Sequence, residues 1–163
     1  MQRQQGNLGT TLVDAGRAGA ALPLLSASRA GWLAMAAADP QDESVASWVR
    51  TTRLSYGEGL AAAGRTGDAI VELSASLADR RRWLATQPQN AERRRALVVG
   101  LNALGDALAA GGRQGEACGL FAEADTMIRC MAGAGSLTRL DADSLQAILR
   151  QSIARHCPSG TPT

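Results

Sequence analysis

Four side chains late in the sequence are the first to consider for chemistry: Cys118, Cys130, His156 and Cys157. Thiolates and imidazole are the usual zinc donors, but structural zinc sites draw them from close pairs such as C-x-x-C, and no such pair exists here. A site from these four would need all of them to converge, with the last two adjacent in sequence, so no metal is expected. The simpler reading is two small thiols and a tail cysteine in a reducing compartment, which points to the cytoplasm. His156 is the only histidine, so a Ser/His/Asp triad would have to draw on the tail. Carboxylates are scattered singly, and no GxGxxG, HExxH or EF-hand spacing occurs. All seventeen basic residues are arginine, which excludes P-loop, Schiff-base and kinase-lysine chemistry, since those need the ammonium itself. The sequence therefore predicts no catalytic residues and no cofactor. An all-arginine basic set also fits the codon bias of a GC-rich, bacterial genome.

Two arginine runs remain, Arg80-Arg81-Arg82 and Arg93-Arg94-Arg95, placed at similar distances either side of Pro88. If a helical hairpin turns at that proline, six guanidinium groups gather at one tip, a docking patch for an acidic protein, phosphate or anionic lipid. Successive helical residues diverge by about 100°, so some of the six must point elsewhere, towards Asp79, Glu92 or neighbouring helices. The net charge of +2 is too small to argue for nucleic acid as the partner.

The elements that position these residues follow from a repeat. Gly9–Gln41 overlays Gly57–Gln89 without a gap, with fifteen of thirty-three positions identical, and a third copy starts at Gly105. Each copy carries a helical apolar pattern, a G-R-x-G turn (Gly16–Gly19, Gly64–Gly67, Gly112–Gly115) and a second helical pattern. A loop with Pro40 or Pro88 comes next, and Asp42 or Asn90 then caps the following helix. Helices are predicted near 3–15, 20–37, 42–63, 67–86, 90–111, 115–132 and 139–155. The last would be amphipathic through Leu145, Ile148, Leu149 and Ile153 and would cap the stack. With 45% apolar but only 3% aromatic residues, the composition suits closely packed helices better than a sandwich or barrel. Residues 18–38 are apolar enough to mimic a signal peptide, but Arg29 and Pro23 interrupt them and they belong to the repeat. No run is long enough to span a bilayer.

The pattern resembles the tetratricopeptide repeat family. Its residues are matched by Leu104, Gly105, Leu108, Ala117, Phe121 and Ala124 in the third copy. The second gives Tyr56, Gly57, Leu60, Ala69, Leu73 and Ser76, and the first Leu8, Gly9, Leu12, Ala21, Leu25 and Ser28. The family's early tryptophan is missing from all three. The period is 48 residues instead of about 34, and the excess splits into two sevens, close to two helical turns each. Both helices of each hairpin therefore lengthen together. This resembles the long-helix repeats of bacterial multidomain signalling proteins, including segments appended to receptor-like Ser/Thr kinases.

The resemblance implies an all-α, right-handed α-solenoid of antiparallel helix pairs over residues 1–156. Its repeats would be approximately 1–41, 42–89 and 90–135, followed by a capping helix over 139–155 and a disordered tail over 157–163. It implies a protein or peptide partner held in a concave groove lined by the first helices, at Thr10, Asp14, Glu58, Asn102 and Asp106, with Trp48 as an aromatic contact. Acidic Glu58 and Asp106 would favour a basic or amide-rich ligand. Trp32 and Trp83 fall in second helices and are expected to pack. Projected back by one period, the helix that begins near Asp42 would have begun about six residues before Met1. The expectation is a C-terminal piece of a longer array, or self-association through that open end. In the first case the repeats would regulate an adjacent signalling domain.

Overall fold

A computed structural model describes residues 1–157. Among these residues the chain is all-helical, with no strand. The helices are α1 (Gln2–Asp14), α2 (Ala18–Ala38), α3 (Glu43–Ala62), α4 (Thr66–Thr86), α5 (Ala91–Ala110), α6 (Gln114–Gly133), α7 (Arg139–Asp141) and α8 (Ala147–His156). A single π-helical stretch, Ala142–Gln146, joins α7 to α8. The chain forms two compact units, Met1–Ser76 and Leu77–Thr163. The expected disordered tail falls, beyond Cys157, outside the described residues. No helix among those described is long and apolar enough to cross a membrane.

The helix ends are written in the sequence with one recurring chemistry. Asp42 accepts hydrogen bonds from the Ser44 and Val45 amides, Asn90 from the Arg93 amide, and Thr138 from the Asp141 amide. Each satisfies donors that the first turn of a helix leaves open, worth about 1 kcal/mol apiece. These caps keep the 48-residue spacing of the sequence repeat, and Thr138 extends it one step further. At the other ends, Gly16, Gly64 and Gly112 adopt φ of 71°, 75° and 77°. That left-handed conformation lets the Arg17, Arg65 and Arg113 amides bond back to the Leu12, Leu60 and Leu108 carbonyls at 2.8–2.9 Å. The bonds close the helices and turn the chain sharply.

In Met1–Ser76, α1 packs on α2 and α2 on α3, around Ala21, Leu25, Val49, Leu60, Ala69 and Leu73. Close approach requires glycine: a Cβ on Gly9 would lie 2.6 Å from Leu25, and one on Gly57 the same distance from Leu73. A buried Glu72 carboxylate receives Arg29 at 2.7 Å, while the Arg29 guanidinium lies over the Tyr56 ring.

In the second unit α5 packs along α6, and α8 lies against both. The core holds Leu97, Leu101, Leu108, Phe121, Ile128, Met131 and Leu149. Gly105 faces the Phe121 ring, where a Cβ would sit 2.4 Å from the nearest ring carbon.

Two expectations about the C-terminal helix change. It is not one uniform amphipathic helix, because the π-helical stretch alters its winding: Leu149 is buried, whereas Ile148 is 51% exposed. His156 is not in a tail but is the last residue of α8.

Candidate functional site

The first unit holds a cleft of ≈ 40 Å³ walled by α1, α2 and α3. From α1 it receives Arg3, Gly6, Asn7 and Thr10, and from α3 Trp48, Thr51, Thr52 and Ser55. Both sets follow the three-, four- and seven-residue steps that keep side chains on one helical face. Leu25, Ser28 and Trp32 of α2 form the remaining wall. Thr10 and Trp48, two of the predicted groove residues, therefore meet in one place.

Trp32 and Trp48 stack with ring centroids 5.3 Å apart and planes 11° from parallel. The Arg3 guanidinium lies 5.0 Å above the Trp48 ring, a contact worth about 0.5–1 kcal/mol where it is exposed. Trp32 thus packs, as expected of a second-helix tryptophan, but its partner is the tryptophan assigned to the groove. Thr10, Thr51 and Thr52 donate their hydroxyls to the Gly6, Ser47 and Trp48 carbonyls, so they turn oxygen lone pairs outward. The Ser28 hydroxyl is fully buried, and neither it nor the Trp32 indole N–H has a hydrogen-bond partner among the described residues. Leaving such groups unsatisfied costs about 1–3 kcal/mol each. Asp14 and Glu58 are exposed and do not line the cleft.

The arginine runs have a different fate. Arg80 and Arg94 are buried. A Cβ on Gly100 would touch the Arg80 stem, and Arg94 donates to the Pro88 carbonyl at 2.8 Å and to Gln89. Arg93 lies over Trp83 and donates to the Trp83 carbonyl and the Thr86 hydroxyl, closing the C-terminal end of α4. Arg81 pairs with Glu123 at 2.6 Å and Arg82 with Asp79. Arg95 grips both carboxylate oxygens of Asp141 at 2.7 Å and donates to the Ser136 carbonyl. All six thus have contacts of their own within the unit, and Arg81 and Arg82 remain the most exposed.

Asp141 is the last residue of α7, where it closes the capping box with Thr138, and is buried. Burial alone would raise its carboxyl pKa, but hydrogen bonds from the Thr138 amide and hydroxyl and from Arg95 outweigh it and hold the group below its usual range.

The end of α8 returns to α6. Cys157 is disulfide-bonded to Cys118, with Cα atoms 5.8 Å apart, which corrects the expectation that these two thiols are free. The physical reason is that α8 reaches His156 and so delivers Cys157 against α6. Only Cys130 remains a free thiol, and it is exposed. The Gln114 side chain donates to the His156 carbonyl, and the imidazole stacks near Phe121 and lies 3.6 Å from Asp106. Asp106 also accepts from Asn102 at 3.0 Å, so these two predicted groove residues bond to each other.

Neither protein-family models, nor curated proteins, nor solved structures contain a match to this chain.

The structure thus gathers Thr10 and Trp48 at one cleft, pairs Asn102 with Asp106 elsewhere, and leaves Asp14 and Glu58 outside both. Arg3, Asn7 and Trp32 of the cleft were not singled out as ligand contacts. For Arg3 and Asn7 the available signal was their helical register with Thr10, two turns and one turn earlier on α1 respectively. Trp32 gave no such signal, because its partner Trp48 lies on another helix.

Proposed function

We propose that the chain is a tetratricopeptide-like α-solenoid of long helix pairs that acts as a protein-interaction module, holding a peptide segment of its partner along the first helix of each pair. The observation that carries this reading is the cleft of the first unit. One face of α1 and one face of α3 present hydroxyl, amide and guanidinium groups around a stacked tryptophan pair. A few placed polar groups beside an aromatic surface are what peptide recognition needs, since the aromatic area supplies affinity and the polar groups fix register. The phased glycine turns and caps support the solenoid part of the reading.

The test is selection of a random peptide library on the full chain, followed by calorimetry with the selected peptides. Trp48→Ala, checked by circular dichroism for retained helix, is expected to weaken binding by tenfold or more, that is by about 1.4 kcal/mol or more. Selected peptides that bind Trp48→Ala and the parent chain equally would sink the proposal.

A further inference from the structure

We infer that the cleft of the first unit is a carboxylate subsite that takes the side chain of an acidic residue, Asp or Glu, on the partner. This rests on the interaction-module reading above and specifies the chemistry of one position in it.

Three observations converge. First, the unsatisfied groups are donors. An indole N–H can only donate, and that of Trp32 is buried without an acceptor among the described residues. The Ser28 hydroxyl, fully buried, is likewise without a partner, and it faces Gly6, where an added Cβ would lie 2.9 Å from its oxygen. Gly6 and Ser28 both belong to the lining of the cleft. Second, the lining contains one cation, Arg3, and no carboxylate. Arg3 has no acidic partner among the described residues; its guanidinium face rests on Trp48, and stacking of that kind leaves the planar N–H edge available for a bidentate acceptor. Third, the size fits: ≈ 40 Å³ holds a few water-sized atoms and not a whole residue. A carboxylate brings two oxygens and about four acceptor positions into that space, with Arg3 and the Asn7 amide as donors on the lining and the Trp32 and Ser28 donors buried behind it.

This differs from the basic or amide-rich ligand that the acidic residues Glu58 and Asp106 led one to expect. Neither of those residues lines the cleft.

The experiment uses the intact chain labelled with nitrogen-15, with the Trp32 indole N–H assigned by a Trp32→Phe variant. It is titrated with three probes: N-acetyl-glutamate α-methylamide, the isosteric N-acetyl-glutamine α-methylamide, and N-acetyl-alanine with a free C-terminal carboxylate. The glutamate probe is expected to move the Trp32 indole resonance saturably. The glutamine probe should bind at least about tenfold more weakly, as for loss of a charge-assisted hydrogen bond. Arg3→Gln should reduce glutamate binding to the glutamine level, while Arg3→Lys should retain part of it. Equal response to glutamate and glutamine would overturn the carboxylate assignment while leaving the cleft a peptide contact. Response to the alanine probe alone would overturn the side-chain assignment in favour of a chain terminus. No movement with any probe would overturn the subsite, and the library selection would still decide the interaction-module reading separately.

Discussion

Two arginines in this molecule lie against the face of a tryptophan, Arg3 over Trp48 at 5.0 Å and Arg93 over Trp83 at 4.8 Å, and they differ in what their edges do. Arg93 donates into the Trp83 carbonyl and the Thr86 hydroxyl, so its stacking is part of a closed helix end. Arg3 has no such acceptor among the described residues, and it stands beside two buried donors in the same condition. The contrast extends across the units. In the second, Arg81, Arg82, Arg94 and Arg95 all have acceptors, and a disulfide holds the last helix, although one oxygen each of Asn102 and Asp106 lacks a hydrogen bond. A guanidinium on an aromatic face is thus structural or available according to its edge, and sequence composition around it does not distinguish the two cases.

The largest effect that would break this contrast is loss of the disulfide. Cys157→Ser releases a cross-link over a sequence separation of 39, and in the chain-entropy model should destabilise the second unit by about 4 kcal/mol. Urea denaturation followed by hydrogen exchange should show the loss in α6 and α8, with the amides of Met1–Ser76 unchanged. Equal stability with and without reductant would show that the second unit is held by its packing alone.

Next come the glycines at the helix crossings. Gly105→Ala drives a methyl into a rigid Phe121 ring, whereas Gly57→Ala meets the flexible end of Leu73. Overpacking typically costs about 1–3 kcal/mol, with Gly105→Ala expected near the top of that range and Gly57→Ala near the bottom. Equal denaturation midpoints for the two variants would mean that the phenylalanine side is no stiffer than the leucine side.

A smaller effect concerns acid. Because the folded Asp141 carboxyl titrates below its unfolded value, its contribution is fully present above the unfolded pKa and disappears as pH falls through the folded one. Amide protection in α7 should therefore decline in strongly acidic solution, and Asp141→Asn should remove that dependence. Thr138→Ala, which deletes the hydroxyl shared with Asp141, should cost about 1 kcal/mol at neutral pH. The smallest effect is expected at the exposed tip: Arg81→Gln and Arg82→Gln break solvent-facing pairs and should each change stability by less than about 1 kcal/mol. Arg95→Gln, whose partner is buried, should cost more than either.

The helices were legible because their signals are local. A capping aspartate, an apolar stripe and a glycine able to reach positive φ lie within a few residues of the turn each determines, and the expected and observed ends of α1–α6 agree to within two residues. The cleft was half legible. Thr10 and Trp48 came from the groove positions that the tetratricopeptide resemblance implies, but the Trp32–Trp48 stack joins two helices and has no local mark. The arginine runs show which ion pairs a sequence displays and which it does not. Arg82 with Asp79 is an i, i+3 pair that a sequence displays, whereas Arg95 finds Asp141 only when α7 arrives beside α5, 46 residues later. The π-helical stretch likewise leaves no residue pattern that distinguishes it from ordinary helix, so the exposure of Ile148 could not be foreseen.

The link between Cys118 and Cys157 also has a topological consequence. It closes a covalent ring that contains most of α6, the Gly135 turn, α7 and α8. A protease that cuts the exposed Ala132–Gly135 stretch would therefore release nothing. The nicked chain would keep its full mass, plus one water, under non-reducing conditions, and two fragments would separate only when the sulfur bridge is opened.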